Sequence, residues 1–490
     1  MNLVKNIKKF IIEKTAFPIV FNFLILSGVS LFQGEVSGGV VLASFFAAVL
    51  QAAIPASKKP AYNSVGLEMM KGDEQPLFPD WLKNIPYLLI LTPAISSISV
   101  FLGFLFVVLC GISTVKYFDT VILRLKNKKN LESAALERVT KKPFSVVIHV
   151  SGMGDVAYQI NQWLPVLEQL DQNVLVMIRE RSIYHGMVAT TLPVIFARTR
   201  LDVEKCFDSC KSLKVVLYPG NPMINAQAFR HFKLQHCFIN HGESDKEVNQ
   251  SKFLMAYDKI FVGGKLAENR LIEAGLPLRD NQVVHVGRPQ AEILLDVKNE
   301  KQEIKKILYA PTWEGFLESV NYSSVNKLGL SLLSELSGKE EYEVFFKPHP
   351  YTGSKNGKTA GFLKKMKELC SESNIKFIDP LDSIHDCMNN SDLLITDISS
   401  VMNEYLVTKK PIIVCNTSNK SDKELHSVFP TCAAAYSITT EDSILDTLNQ
   451  IKNNDRLDTV REKIKCHSLG DFPEGALNRF KAEIDSLVLN

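Results

Sequence analysis

From residue 143 onward the chain alternates short apolar runs with polar turns and helix-length segments, and this alternation restricts the fold more than any other feature. The clearest instance runs from Ser391 to Val414. Leu393–Thr396 is an apolar run of the length of a buried parallel strand, and Asp397 ends it. Ser399 and Ser400 stand where a helix begins. Val401, Glu404 and Tyr405 carry helical spacing, and Lys409, Lys410 and Pro411 close that helix before Ile412–Val414 opens the next strand. Two serines just beyond the carboxyl end of a strand lie where a doubly wound sheet holds an anion, because free N–H groups and the helix dipole face it. An ordinary serine cap has the same pattern, so the meaning of these serines depends on the rest of the chain.

A chain of 490 residues holds two or three domains. A net charge of +3 gives no global sign of nucleic-acid binding. Nine cysteines are scattered without a Cys-x-x-Cys pair, which fits reduced thiols rather than a disulfide framework or a zinc site.

Residues 1–142 read as a helical membrane region. Met1–Lys14 is a basic amphipathic start with Lys5, Lys8, Lys9 and Lys14. Thr15–Gly34 and Val36–Ser57 carry no charge, and Glu35 alone separates them. Each is about long enough to span a bilayer. Asn84–Val115 is a third uncharged run, of 32 residues, with Pro86 and Pro93 near its start. That length fits a kinked span or a re-entrant hairpin. Lys116–Lys142 then carries eight Lys or Arg against three Asp or Glu, the signature of a cytoplasmic face resting on anionic headgroups. Both ends prefer the inside, so an even number of crossings is expected: two spans plus a re-entrant segment, or four short spans. A buried helical bundle in a soluble protein is the alternative.

Residues 143–300 read as a first Rossmann-like domain. Strands are expected at Ser145–Val150, Val174–Ile178, Val215–Leu217, Cys237–Ile239 and Ile260–Val262. The first leads through Ser151-Gly-Met-Gly-Asp155 into a helix over 156–170. After Ile239 comes Asn240-His241-Gly242-Glu243-Ser244-Asp245-Lys246. A histidine at the carboxyl end of a parallel strand points into the ligand crevice, where a neutral imidazole can take a hydroxyl proton. A histidine hydrogen-bonded within a loop has the same sequence. Arg288, in His285-Val-Gly-Arg-Pro289, is placed to clamp a phosphate or to form an ion pair.

Residues 301–490 read as a second Rossmann-like domain with a C-terminal helix crossing back to the first. Strands at Lys306–Ala310, Glu343–Phe346, Lys376–Ile378 and Leu393–Thr396 each end in a polar loop. Their carboxyl ends share one rim in a parallel sheet, which brings together Thr312, Lys347, His349, Ser399 and Ser400. Hydroxyls, a lysine, a histidine and a helix N-terminus form a diphosphate site. Glu404, one turn beyond Ser400, is placed to hold ribose hydroxyls or to be solvated. There is no Asp-x-Asp metal motif and no cofactor signature.

Read together, His241-Gly242, Gly287-Arg-Pro289, Tyr309-Ala-Pro-Thr-Trp313, Lys347-Pro-His-Pro350, Asp397-Ile-Ser-Ser-Val-Met402 with Glu404-Tyr405, and Glu474-Gly-Ala476 with Arg479 resemble the CDP-glycerol glycerophosphotransferase family of teichoic-acid-type polymerases and primases. The resemblance runs from about Pro143 to the end. It implies a GT-B fold: an α/β architecture of two Rossmann-like domains, each with a parallel sheet. It also implies transfer of a polyol phosphate from a CDP-linked donor to a hydroxyl of a lipid-linked or polymeric glycan, with release of CMP. His241 would then be the general base, and His349, Ser399 and Ser400 the diphosphate ligands, with Thr312, Lys347, Glu404 and Arg288 assisting. The donor would be a substrate rather than a cofactor, and the catalytic domains would face the cytoplasm at the cell membrane. The family's Thr-Pro-Leu-Lys after His-Gly is replaced by Glu243-Ser-Asp-Lys246. This loop is expected to face the acceptor, which leaves acceptor and polyol open. A GT-B sugar transferase using a CMP- or UDP-sugar, and a non-catalytic nucleotide- or glycan-binding membrane protein, are the competing readings.

Overall fold

The computed structural model describes residues 16–34, 36–62, 64–70, 79–152, 156–246, 251–295, 303–315, 321–418 and 420–489. The basic start at Met1–Lys14 and the turn residues Met153–Asp155 lie outside them. The chain packs as two units. One takes the chain up to Lys142 together with Val194–Ser209, and the other takes Pro143–Pro193 and Cys210 onward. Residues 194–209 therefore leave the 143–300 segment to which the sequence reading assigned them. In the N-terminal unit Val194–Ala197 pairs antiparallel with Leu67–Met69.

Helices of that unit cover Ala16–Gln33, Gly38–Tyr62, Asp80–Leu88, Thr92–Ile98 and Val100–Lys126. Asn84–Val115 is thus divided among several helices and turns at Ser99, whose extended backbone and hydroxyl cap the long helix. Pro93 has no N–H to offer the Leu89 carbonyl four residues back, and Asn22 Nδ2 donates to that carbonyl at 3.2 Å. Gln51 Nε2 likewise donates to the Pro86 carbonyl at 2.9 Å. Asn22 thereby supplies a donor where Pro93 removes one, while Gln51 adds a side-chain bond to a second carbonyl of this stretch. A methyl group on Gly103 would overlap Ser96, so the two arms of the hairpin touch there. Gly38–Lys58 and Val100–Lys126 are long and apolar enough to cross a membrane by length and composition. Leu31, Phe32, Ile98 and Phe101 are the most exposed of their large apolar side chains.

The second unit is built on two parallel sheets. The first uses β1 (Val146–Val150), β2 (Val174–Ile178), β3 (Val215–Tyr218), β4 (Gln235–Phe238), β5 (Lys259–Val262) and β6 (Val283–His285). The second uses β7 (Lys306–Ala310), β8 (Glu343–Phe346), β9 (Lys376–Phe377), β10 (Leu393–Thr396), β11 (Ile412–Cys415) and β12 (Tyr436–Ile438). Within this unit the first sheet runs β2-β1-β3-β4-β5-β6, and the second runs β9-β8-β7-β10-β11-β12. Every pairing in both is parallel. Continuous apolar strands require cover on both faces, and the second sheet shows the alternation. Ile307, Tyr309, Leu393, Ile395 and Ile413 enter one core. Leu308, Ala310, Leu394, Ile412 and Val414 enter the other.

The expected helix over 156–170 is two short helices, Ala157–Asn161 and Leu164–Leu167, with Pro165 in the first turn of the second. The C-terminal helix Ala476–Leu489 returns to the first sheet. Its buried Phe480 packs against Trp163 in a tilted pair and against Phe261 edge-on, at 5.2 and 5.7 Å between ring centroids, and Asp485 accepts from Gln172 at 3.0 Å.

Candidate functional site

The strand order of the second sheet reverses between β7 and β10, the position at which such sheets hold ligands beyond their carboxyl ends. Asp397, at the end of β10, ties the two flanking loops together. Its Oδ2 accepts from the N–H of Thr312 at 2.8 Å and of Ser324 at 3.1 Å. Its Oδ1 is buried and has no hydrogen-bond partner among the described residues. Burial pushes this carboxyl up to about 7, against the opposing effect of the Ser324 and Thr312 donors and of Lys246.

His241 follows β4 directly. Asn240 before it adopts a left-handed backbone (φ 55°), and its own Oδ1 accepts from the N–H groups of His241 and Gly242. His241 Nδ1 lies 2.8 Å from the Pro219 carbonyl. A carbonyl only accepts, so the neutral ring carries its proton on Nδ1 and its lone pair on Nε2. Burial lowers its pKa below the ordinary imidazole value. The Pro219 bond and Glu404 oppose that shift, and Arg288 adds to it.

His349 has the opposite tautomer. Its Nδ1 accepts from the Tyr351 N–H at 3.1 Å, which leaves Nε2–H as a donor. Burial, with the nearby charges of Lys246 and Lys347, lowers it to about 3, so it is neutral at physiological pH. The Tyr158 ring meets both imidazoles edge-on, at 5.6 Å from His241 and 6.0 Å from His349. Trp313 stacks on His349 at 6.1 Å, and Glu314 holds the N–H groups of Gly353, Lys355 and Asn356. One proton acceptor and one proton donor thus flank a single tyrosine.

Ser400 opens the helix Ser400–Tyr405, and Ser399 occupies the cap position without making a side-chain cap bond. Ser399 Oγ lies 3.3 Å from Thr396 Oγ1. The helix is only six residues long before a 3₁₀ turn over Leu406–Thr408, and Lys409 ends it in the left-handed region. Attraction for an anion here therefore rests on first-turn N–H groups and hydroxyls more than on a long dipole. A Cβ on Gly242 would stand 2.7 Å from Ser400 Oγ, so the His241 loop packs directly on this turn.

The remaining expected residues sit differently. Arg288 is buried and bonds Glu404 Oε1, with the His241 carbonyl at 3.2 Å and Gln162 at 3.4 Å. Glu404 Oε2 accepts from His385 Nε2 at 3.0 Å. Burial alone would raise Glu404, but Arg288 and His385 bring it down to about 2. Both residues therefore serve as a support beneath the His241 loop, with both carboxylate oxygens engaged. Lys347 is buried and donates to the Pro380 carbonyl at 2.9 Å.

The loop after Gly242, expected to face the acceptor, is instead folded inward. Glu243 and Asp245 are buried against Arg270 at 3.1 and 2.6 Å. Asp245 also accepts from Thr431 N–H and Oγ1 at 2.8 and 2.9 Å. Lys246 reaches the second sheet, donating to Thr312 Oγ1 at 2.8 Å. The residues that the sequence reading missed are Lys246, Tyr158, His385 and Asp397 as a loop tie. The available signal for Asp397 was an acid closing a buried strand, and for Lys246 a basic residue five positions after a rim histidine.

Fold and rim together define the class: doubly wound parallel α/β sheets with polar loops gathered at the strand reversal. Residues 226–468 match the model of the family described as CDP-glycerol:poly(glycerophosphate) glycerophosphotransferase. It is 30% identical over 173 residues to the teichoic acid ribitol-phosphate polymerase TarK of Staphylococcus aureus, covering 32% of this chain and 31% of that protein. It is 28% identical over 170 residues to the teichoic acid glycerol-phosphate primase of Bacillus subtilis, covering 33% of this chain and 40% of that protein. The match therefore spans about a third of these relatives' length. Among solved structures, an H548A form of the wall teichoic acid polymerase TagF superposes with a TM-score of 0.49 and 15% identity, covering 77% of this chain and 97% of that one.

Proposed function

We propose that this chain is a transferase of GT-B type that moves glycerol phosphate, or a related polyol phosphate, from a CDP-linked donor to a hydroxyl on a lipid-linked or polymeric glycan. The observation that carries the reading is the pair of neutral histidines with opposite tautomers on either side of Tyr158. The acceptor hydroxyl attacks the polyol-bearing phosphorus and gives its proton to His241 Nε2. The bond from that phosphorus to the oxygen of the CMP phosphate breaks, and CMP departs with the bonding pair. His349 Nε2–H, the hydroxyls of Ser399 and Ser400 and the first-turn N–H groups meet the diphosphate oxygens, where charge accumulates as the bond breaks. Positioning supplies most of the effect in such a reaction.

The N-terminal unit acts in this reading as the membrane attachment, which keeps the enzyme beside a lipid-linked acceptor. Its apolar helices enter the bilayer, and the basic stretch Lys116–Lys142 lies at the cytoplasmic headgroups.

The test is incubation of membranes containing the chain with CDP-glycerol, CDP-ribitol, and CMP- and UDP-sugars, with released nucleotide measured. CMP release from a CDP-polyol is expected. Release from sugar donors alone overturns the proposal.

A further inference from the structure

The two sheets of the second unit exchange one cation. Lys246 belongs to the loop that begins at His241 in the first sheet, but its ammonium sits on the rim of the second. Among the described residues Thr312 Oγ1 is its hydrogen-bond partner, which leaves two of the three ammonium N–H groups. Asp397 supplies the opposing charge, and the Tyr322 ring lies 5.8 Å from Nζ. Lys246 also exerts the largest charge effect on His349, ahead of Lys347 and His241. Lys347, the lysine that the sequence pointed to, is already engaged with the Pro380 carbonyl.

We propose that Lys246 is the cation that meets the donor diphosphate: an ammonium carried by the His241 loop to a place between Thr312 and His349, where it neutralises charge on the departing CMP phosphate. This rests on the CDP-polyol reading above. Phosphoryl transfer needs concentrated positive charge near the leaving oxygens. His349 is neutral, the helix behind Ser400 is short and the Lys347 ammonium is turned to the Pro380 carbonyl, so Lys246 supplies the full positive charge beside Thr312. Asp397 balances Lys246 before the donor binds, and its unpartnered oxygen keeps the carboxylate close without a direct clamp. The same lysine joins donor binding to the loop that carries the base, so a bound diphosphate steadies His241.

Titration gives a readout that a purely structural lysine would not move. Burial lowers Lys246 to about 8 in spite of Asp397. The groups facing it are Asp397 from the end of β10, His349 from the loop after β8 with Lys347 behind it, Tyr322, and His241 from its own loop. Asp397, His349 and His241 lose their protons below pH 8, so they shape the acid side of a profile. Near pH 8 the Lys246 ammonium switches off, and Lys347, which burial also lowers, is the control.

The experiment measures kcat/KM for CMP release from the CDP-polyol between pH 5.5 and 10, together with affinity for CDP at pH 7 and pH 9, for the wild type, Lys246→Arg and Lys246→Met. The wild type is expected to lose kcat/KM above about pH 8, and to lose it at higher pH in kcat, because bound diphosphate holds the proton on the lysine. Lys246→Arg removes that basic limb. Lys246→Met lowers kcat/KM by about 10²-fold and makes CDP affinity independent of pH. A basic limb that persists in Lys246→Arg, or that moves only in Lys347→Arg, overturns the assignment. If the wild type releases no CMP from any CDP-polyol, the transferase reading fails. The CDP affinities then still decide the placement of the cation: loss of affinity from pH 7 to pH 9 in the wild type but not in Lys246→Arg supports it, and equal behaviour overturns it.

Discussion

Removing the Arg288 guanidinium tests whether the support beneath His241 is electrostatic. Arg288 and Glu404 have side chains only 4% and 6% exposed, so solvent screens their pairing little. Glu404 is lowered from the ordinary 4.5 to about 2 although burial acts to raise it. At about 1.4 kcal/mol per unit, that shift corresponds to roughly 3 kcal/mol of stability. Breaking a buried pair by removing one partner independently costs about 3–5 kcal/mol. The sign is set by the lowered carboxylate. Its stabilisation is fully present above pH 4.5 and is lost as pH falls towards 2.

In Arg288→Met the cation is gone while Glu404 stays buried, so the carboxylate takes up a proton at a higher pH than in the wild type. The stability deficit is therefore expected to be about 3–5 kcal/mol at pH 7 and to shrink at pH 5. The assay is urea unfolding in detergent followed by tryptophan fluorescence. Trp163 reports on this unit, because its indole donates to the Asn240 carbonyl at 2.6 Å, next to His241. Arg288→Met/Glu404→Gln should recover much of the loss and show little dependence on pH in this range. The same deficit at pH 5 and pH 7, or simple addition of the two single effects in the double variant, refutes an electrostatic support. Because Arg288 also holds the His241 carbonyl at 3.2 Å, kcat/KM should fall about tenfold or more in conditions where the variant remains folded.

Three other outcomes are expected. His241→Ala should lower the rate of CMP release by about 10²–10⁴-fold with CDP affinity kept, and unchanged glycan production in cells carrying the variant would favour a binding role instead. Gly242→Ala places a methyl group 2.7 Å from Ser400 Oγ, so it should cost about 1–3 kcal/mol and reduce activity, with Gly242→Ala/Ser400→Gly restoring stability in the same unfolding assay. In flotation with phosphatidylglycerol vesicles the full chain should stay bound at 1 M salt, because apolar side chains such as Leu31, Phe32, Ile98 and Phe101 hold it; release by salt would mean that the Lys116–Lys142 charge alone holds it.

The strands of the second sheet were legible because burial on both faces demands unbroken apolar runs: Lys306–Ala310, Glu343–Phe346 and Leu393–Thr396 occur where their patterns place them. Tyr436–Ile438 was not read. Three residues with a central serine give too little contrast with a loop, and only pairing along β11 makes them a strand. The helix expected over 156–170 failed for a local reason, since Pro165 opens a second short helix and the first does not run on through Gln162 and Trp163. The loop after Gly242 failed for a distant one. Glu243 and Asp245 look solvent-seeking until Arg270, on the helix Lys265–Glu273, supplies the charge that lets both be buried. A polar run does not show whether its counter-charge lies in solvent or in a neighbouring helix.

The same limit explains why the rim residues were legible as a set but not in their roles. Strand-end positions follow from the order of runs and turns, and they place His241 and His349 each at the carboxyl end of a strand. Their chemistry depends on which backbone group meets Nδ1. For His241 that group is a carbonyl contributed by Pro219, 22 residues earlier, and for His349 it is an N–H two residues later. Exchanging these partners would reverse proton acceptor and donor without changing either histidine. The assignment of base and phosphate ligand therefore rests on Pro219 and Tyr351 as much as on the imidazoles. A substitution that turns the Pro219 carbonyl away should impair catalysis through the tautomer of His241 while leaving the ring in place.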